Sequence, residues 1–146
     1  MSLKASIGLC MIVCTVVGML AYNVGYSRAE EQQATRLYEL RTYTTHPGRL
    51  EALNARFKNH TIKLFEKHGI KNGLYWIPTD EKLKDNTLIY FVSHANQEAA
   101  DKSWKDFVSD PEWKAVAEAS EKDGKIVSKV ERVYMKLVDY SPADKN

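Results

Sequence analysis

The chain has 146 residues, 44% hydrophobic and 27% charged, which gives room for one globular domain and not two. Its net charge of +2 comes from Lys4 and Arg28: residues 1–29 hold no acid, and the nineteen basic residues left equal the nineteen acidic ones. A formally neutral domain lacks the basic footprint that phosphate backbones require, so nucleic acid is not an expected partner. Cys10 and Cys14 also fall in the first 29 residues, so residues 30–146 can form no disulfide, thiolate nucleophile or cysteine metal site.

Residues 5–27 are an uncharged run between Lys4 and Arg28. Its apolar core, residues 7–21, has the length of a signal-peptide h-region. Ser27-Arg28-Ala29 supplies small residues at −3 and −1 of a cleavage site before Glu30. The run also approaches the roughly 20 residues that a bilayer core needs, with Tyr22 and Tyr26 as interfacial aromatics. Residues 1–29 are therefore expected to be a signal peptide or an uncleaved signal anchor. The domain is then exported, periplasmic or extracellular, or anchored by residues 5–27, with membrane contact through that segment alone. Residues 30–35 read as a polar linker.

Residues 36–44 (RLYELRTYT) alternate and are rich in aromatic and β-branched types, as a strand requires. Leu37, Glu39, Arg41 and Tyr43 share one face; Tyr38, Leu40, Thr42 and Thr44 share the other. Pro47 suits the first turn of a helix. Leu50, Leu53, Phe57, Thr61, Leu64 and His68 follow as a helical stripe, closed by Gly69. A short strand is predicted over 73–77. Residues 87–92 (TLIYFV) are the most apolar stretch and predict a central strand buried on both faces. Asn96 should cap a second helix with Ala100, Trp104, Phe107 and Val108 inward. Asp110-Pro111-Glu112 starts another, with Trp113, Val116, Ala117 and Ser120 inward. A last strand is predicted from about Lys125 to Tyr140, leaving residues 141–146 as a tail.

The order β-α-β-β-α-β is that of the ferredoxin-like α+β fold. It implies a four-stranded antiparallel sheet, ordered 4-1-3-2, with helices on one face. Both strand faces carry large apolar groups, so the uncovered face should be an interface, and a homodimer packed sheet to sheet is the expected assembly.

Several segments resemble the NIPSNAP family in order: Tyr38-Glu39-Leu40-Arg41-Thr42-Tyr43 with Pro47-Gly48, Phe65-Glu66-Lys67-His68-Gly69, Tyr75-Trp76, Asn86-Thr87-Leu88-Ile89-Tyr90, and Ser103-Trp104-Lys105 with Asp110-Pro111-Glu112-Trp113. The resemblance covers about residues 36–139, within a domain set at 36–140. It implies a dimeric α/β barrel and kinship with cofactor-free monooxygenases, haem-degrading enzymes and isomerases of that fold. It imports no activity.

His60 stands about 60° from the centre of the helical stripe and could reach a pocket between helix and sheet, where a histidine suits acid–base work. It is the candidate catalytic residue. Glu39, Arg41 and Tyr43 on one strand face, with Tyr90, form with His60 a candidate ligand-binding set. A salt bridge is the plainer role for the two charges. His68 reads as a helix cap, and His46 and His94 as loop residues. Trp76, Trp104 and Trp113 read as core or interface filling. The four histidines show no HxH or HExxH spacing, so no metal is expected, and no cofactor. Three functions follow. The first is a homodimer binding a small molecule between helices and sheet. The second is a cofactor-free monooxygenase or isomerase, and the third a structural or partner-binding envelope module.

Overall fold

The computed structural model describes residues 36–141. The leader, the linker and the tail beyond Ser141 lie outside the described residues. Residues 36–137 belong to one compact unit. Val138–Ser141 fall in another and make a turn closed by the Ser141 N–H to the Val138 carbonyl at 3.0 Å.

The elements in chain order are β1 (Leu37–Thr45), α1 (Leu50–Arg56), a π turn (Phe57–Thr61), α2 (Ile62–Lys67), β2 (Lys71–Trp76), β3 (Thr87–His94), α3 (Gln97–Ser109), α4 (Pro111–Ser120) and β4 (Val127–Lys136). The sheet order is β2-β3-β1-β4, and every pairing is antiparallel. This is the expected four-stranded α+β topology.

Local chemistry places the starts of α3 and α4 where the sequence puts them, whereas α1 begins at Leu50, three residues after the expected Pro47. Asn96 accepts the Ala99 N–H at 2.9 Å and so caps α3. Asp110 accepts the Glu112 N–H at 2.7 Å and caps α4, with Pro111 at its first position. Gly69, at φ +74°, ends α2 in the left-handed conformation that a side chain would strain.

The core lies between the inner sheet face and the helices: Leu53, Phe57, Leu64, Phe65, Ile70, Leu88, Tyr90, Val92, Phe107 and Ile126 are all buried. Its centre is aromatic. Phe65 meets Trp104 and Phe107 edge to face at 5.3 and 4.9 Å, and Tyr75 stacks on Tyr90 at 5.0 Å. Each such pair adds roughly 0.5–1.5 kcal/mol to what burial supplies. On the outer face, Phe91 lies over the backbone of Gly73, where a Cβ would collide with its ring.

Four expectations need correction. β3 runs two residues past Val92, so His94 is a buried strand residue and not a loop residue. Ile89 and Phe91, on the outer face of β3, are only half-buried, because none of the described elements packs on that side. Val108 is 57% exposed: it sits in the last turn of α3, where the chain leaves for α4 and nothing covers it. β4 stops at Lys136, four residues short of Tyr140.

Candidate functional site

Strand alternation carries Glu39, Arg41 and Tyr43 to the inner face of β1. The register sets them opposite Val92, Tyr90 and Leu88 on β3 and opposite Tyr134, Arg132 and Val130 on β4. His94 lies on the same face at the end of β3, and α3 lowers Trp104 onto the cluster from above.

Glu39 is fully buried, and its carboxylate is the hub. Oε1 accepts Arg41 Nη1 at 2.5 Å, and Oε2 accepts the Trp104 indole N–H at 2.6 Å. His94 Nε2 stands 3.4 Å from Oε2, at ion-pair distance but out of line for a hydrogen bond. Arg41 Nη2 donates to the Tyr43 hydroxyl at 3.2 Å, and the guanidinium lies 4.2 Å from the Trp104 ring centre. The expected ion pair between Glu39 and Arg41 therefore forms within one strand.

Burial opposes charge on Glu39, but His94, Arg41 and Trp104 outweigh it and hold the carboxyl below its usual range. Burial also opposes the Arg41 charge, and the surrounding Tyr43, Tyr90 and Glu39 oxygens more than restore it. The Tyr90 phenol is pushed well above its ordinary value, first by burial and then by Tyr43, so it stays a neutral donor. Tyr75 is raised by burial in the same way.

Several donors and acceptors here have no partner. Arg41 Nε, the Tyr90 hydroxyl and both ring nitrogens of His94 are buried and unpaired. Buried polar groups are nearly always paired, so these atoms, of which only His94 Nε2 has a charge partner nearby, need a reason. The arrangement offers a fixed cation, a neutral phenol and an imidazole beside a carboxylate, all walled by aromatic rings.

The structure brings together Glu39, Arg41, Tyr43 and Tyr90 of the expected set and leaves His60 out. His60 is exposed and lines a separate groove of about 550 Å³ between α1, the π turn and α4, with Arg56, Asn59, Ala115, Val116 and Ser120. The π turn is the cause. The Ile62 N–H reaches back five residues to the Phe57 carbonyl, and the Thr61 hydroxyl bonds the Arg56 carbonyl at 3.2 Å. This wider turn advances each residue by less than the 100° of an α-helix, so Thr61 stays inward and His60 is left facing out. Sequence reasoning missed His94 and the polar role of Trp104. The signal for His94 was present: Leu88, Tyr90, Val92 and His94 alternate onto one face. Among the described residues, no group of three or more His, Cys, Asp or Glu stands close enough to hold a metal ion.

Comparison with known proteins gives a consistent fold. The family model described as NIPSNAP matches residues 38–142. An uncharacterised NIPSNAP-like domain protein from Burkholderia xenovorans superposes with a TM-score of 0.65 at 14% identity, covering 75% of this chain and 91% of that one. A NIPSNAP family protein of unknown function from Agrobacterium tumefaciens gives 0.63 at 19% identity, over 75% and 94%. A cofactor-independent oxygenase from Streptomyces nogalater, SnoaB, gives 0.50 at 14% identity, over 75% and 100%. No curated protein matches the sequence significantly.

Proposed function

Because this chain belongs to the NIPSNAP family, we propose that it is an exported homodimer that binds a small molecule between its helices and its sheet. One observation carries the reading: unpaired buried atoms of Arg41, Tyr90 and His94 lie on one face of neighbouring strands, among aromatic rings. Leaving each such group unsatisfied costs about 1–3 kcal/mol, a cost that a ligand with matching polar atoms removes. Arg41 and Tyr90 then orient the ligand, while Glu39 and Trp104 fix the guanidinium.

The dimer is supported by the outer sheet face. Trp76, Val133 and Met135 are exposed there at 45, 56 and 37%, beside half-buried Tyr38, Leu40, Ile89 and Phe91. A patch of this kind fits a second sheet. Light scattering at micromolar concentration should give twice the monomer mass, and a monomer would refute the dimer.

Native mass spectrometry of the gently purified protein tests the binding reading. A reproducible extra mass supports it, and the mass names the ligand class. A bare protein that also ignores a metabolite library in thermal-shift assays would sink it.

A second reading, a cofactor-free oxygenase or isomerase, is favoured by His94. A buried imidazole with unpaired nitrogens beside the Glu39 carboxylate is the arrangement of a general base. Oxygen uptake with a panel of phenols and quinols, abolished by His94→Gln, would support it. A flat trace across the panel would count against it.

A further inference from the structure

The charges on the inner sheet face do not balance. β1 and β4 place Arg41 and Arg132 directly opposite each other, an unfavourable pairing of like charges on one face. Glu39 answers only Arg41, and its own partner on β4 is Tyr134, not a second acid. The acid next to Arg132 in sequence, Glu131, alternates to the outer face and pairs with Lys129 at 2.8 Å. Among the described residues Arg132 has no ion-pair partner; its guanidinium carbon stands 6.0 Å from the Tyr134 ring centre. Between Arg41 and Arg132, two guanidinium groups and one carboxylate leave one positive charge in excess, and Lys136, farther along the same face of β4, brings no acid to offset it.

Among the described residues the same side is open. There α1 and α3 pack over β3 and α2 over β2, and no described helix makes an extensive contact with β4. On the inner face of β4, Arg132 is exposed and Val130 is 45% exposed, while Tyr134, Tyr43 and Trp104 are half-buried. This forms an aromatic shelf with Arg132 at its rim and Arg41, whose side chain is 11% exposed, at its back.

We propose that the ligand is a planar aromatic monoanion that enters over β4, with its charged end between Arg41 and Arg132. The inference rests on the small-molecule reading above; it adds the ligand class and names Arg132 as the residue that selects it. Guanidinium is suited to this task because its planar fork meets a carboxylate in two hydrogen bonds.

The test is a titration of the full chain with 1-naphthoate, its neutral isostere 1-naphthamide and the cation 1-naphthylmethylammonium, read by tryptophan quenching and calorimetry. Naphthoate should bind about tenfold or more tighter than naphthamide, with the cation weakest. Arg132→Gln should shrink the naphthoate preference by about five- to tenfold without lowering Tm, since the side chain is exposed. Raising salt from about 0.05 to 0.5 M should erode the preference in the wild type more than in the variant. Equal binding of naphthoate and naphthamide, or an unaltered preference in Arg132→Gln, overturns the charge assignment and leaves the small-molecule reading standing. Failure of all three probes to bind the wild type overturns the aromatic-anion assignment, and the small-molecule reading then falls only if the native mass is bare and the metabolite library is ignored as well.

Discussion

Glu39 beside His94 and Asp110 beside His68 are two carboxylate–histidine pairs in one small unit, built for different ends. Around Asp110 every partner is used. One oxygen takes His68 Nε2 at 2.6 Å and Lys67 Nζ at 2.8 Å, and the other takes the Glu112 N–H at 2.7 Å. Lys67 also reaches Glu112 at 2.9 Å. These contacts tie the end of α2 to the start of α4. Around Glu39 the carboxylate is equally well served, but its neighbours are not, and they lie among aromatic rings. A clasp consumes its hydrogen-bonding capacity. A site keeps some in reserve, and that surplus marks the Glu39 cluster as the place where a ligand would be felt.

The largest expected effect follows from breaking the buried pair. Glu39→Ala leaves Arg41 as a lone charge under the helices and should cost about 3–5 kcal/mol in urea unfolding. The double change Glu39→Gln with Arg41→Met should recover most of that, because both charges then leave together. A single change costing less than about 1 kcal/mol would mean that water reaches Arg41 freely, and the contrast with Asp110 would collapse.

Asp110→Ala should cost less, a fall of a few degrees in Tm, as α4 loses its cap and α2 its tether. Acid separates the two sites. Lys67 and His68, with the Glu112 N–H, hold Asp110 well below the usual carboxylate range, and Glu39 is depressed as well. A depressed folded-state value means that the stabilisation is whole above the unfolded value and drains away as pH falls from there. The Glu39 contribution should therefore be whole above about pH 4.5 and the Asp110 contribution above about 3.8, each fading as pH falls below that. Asp110→Asn should flatten the acid limb of the stability curve in part, with Glu39, Asp106 and Glu121, all likewise depressed, holding the rest.

Tyr90→Phe sharpens the contrast in the opposite direction. Its hydroxyl is buried without a partner, so removing it should leave stability within about 1 kcal/mol, with a gain as the expected sign. Ligand affinity should fall at the same time. A marked loss of stability would show that the phenol is paired in solution, and the surplus at the site would be smaller than the geometry gives.

Much of this was legible in the sequence, for reasons that can be named. Period-two alternation put Glu39, Arg41 and Tyr43 on one face, and charges inside an apolar strand demanded a pairing. Asn96 and Asp110-Pro111 announced their helices through capping chemistry. Trp104 was legible as an inward residue, but its bond to Glu39 depends on how α3 crosses the sheet, which no local pattern encodes. His94 was lost because Ser93 and His94 look polar enough to end a strand, and their pairing with Tyr38, Leu37 and Lys71 keeps them in it. The π turn was invisible for a subtler reason. Phe57 and Thr61 are four apart, a spacing that an α-helix and a π turn both bring to one side, so the pattern fits either and only the intervening residues change direction.

His60 is where that ambiguity has its consequence, and it gives the smallest expected effect. On an α-helical reading it borders the core and qualifies as an acid–base group. With the π turn it faces the groove beside α4, among small side chains and the buried Arg56. His60→Ala should then change stability by no more than about 0.5 kcal/mol and leave naphthoate affinity untouched. The measurement is worth making because it is the one result that could move the site. Lost ligand binding with stability unchanged would place the binding surface in the α1–α4 groove, and the unpaired atoms around Glu39 would then need another explanation. An unchanged titration leaves His60 as a surface residue and the inner sheet face as the functional one.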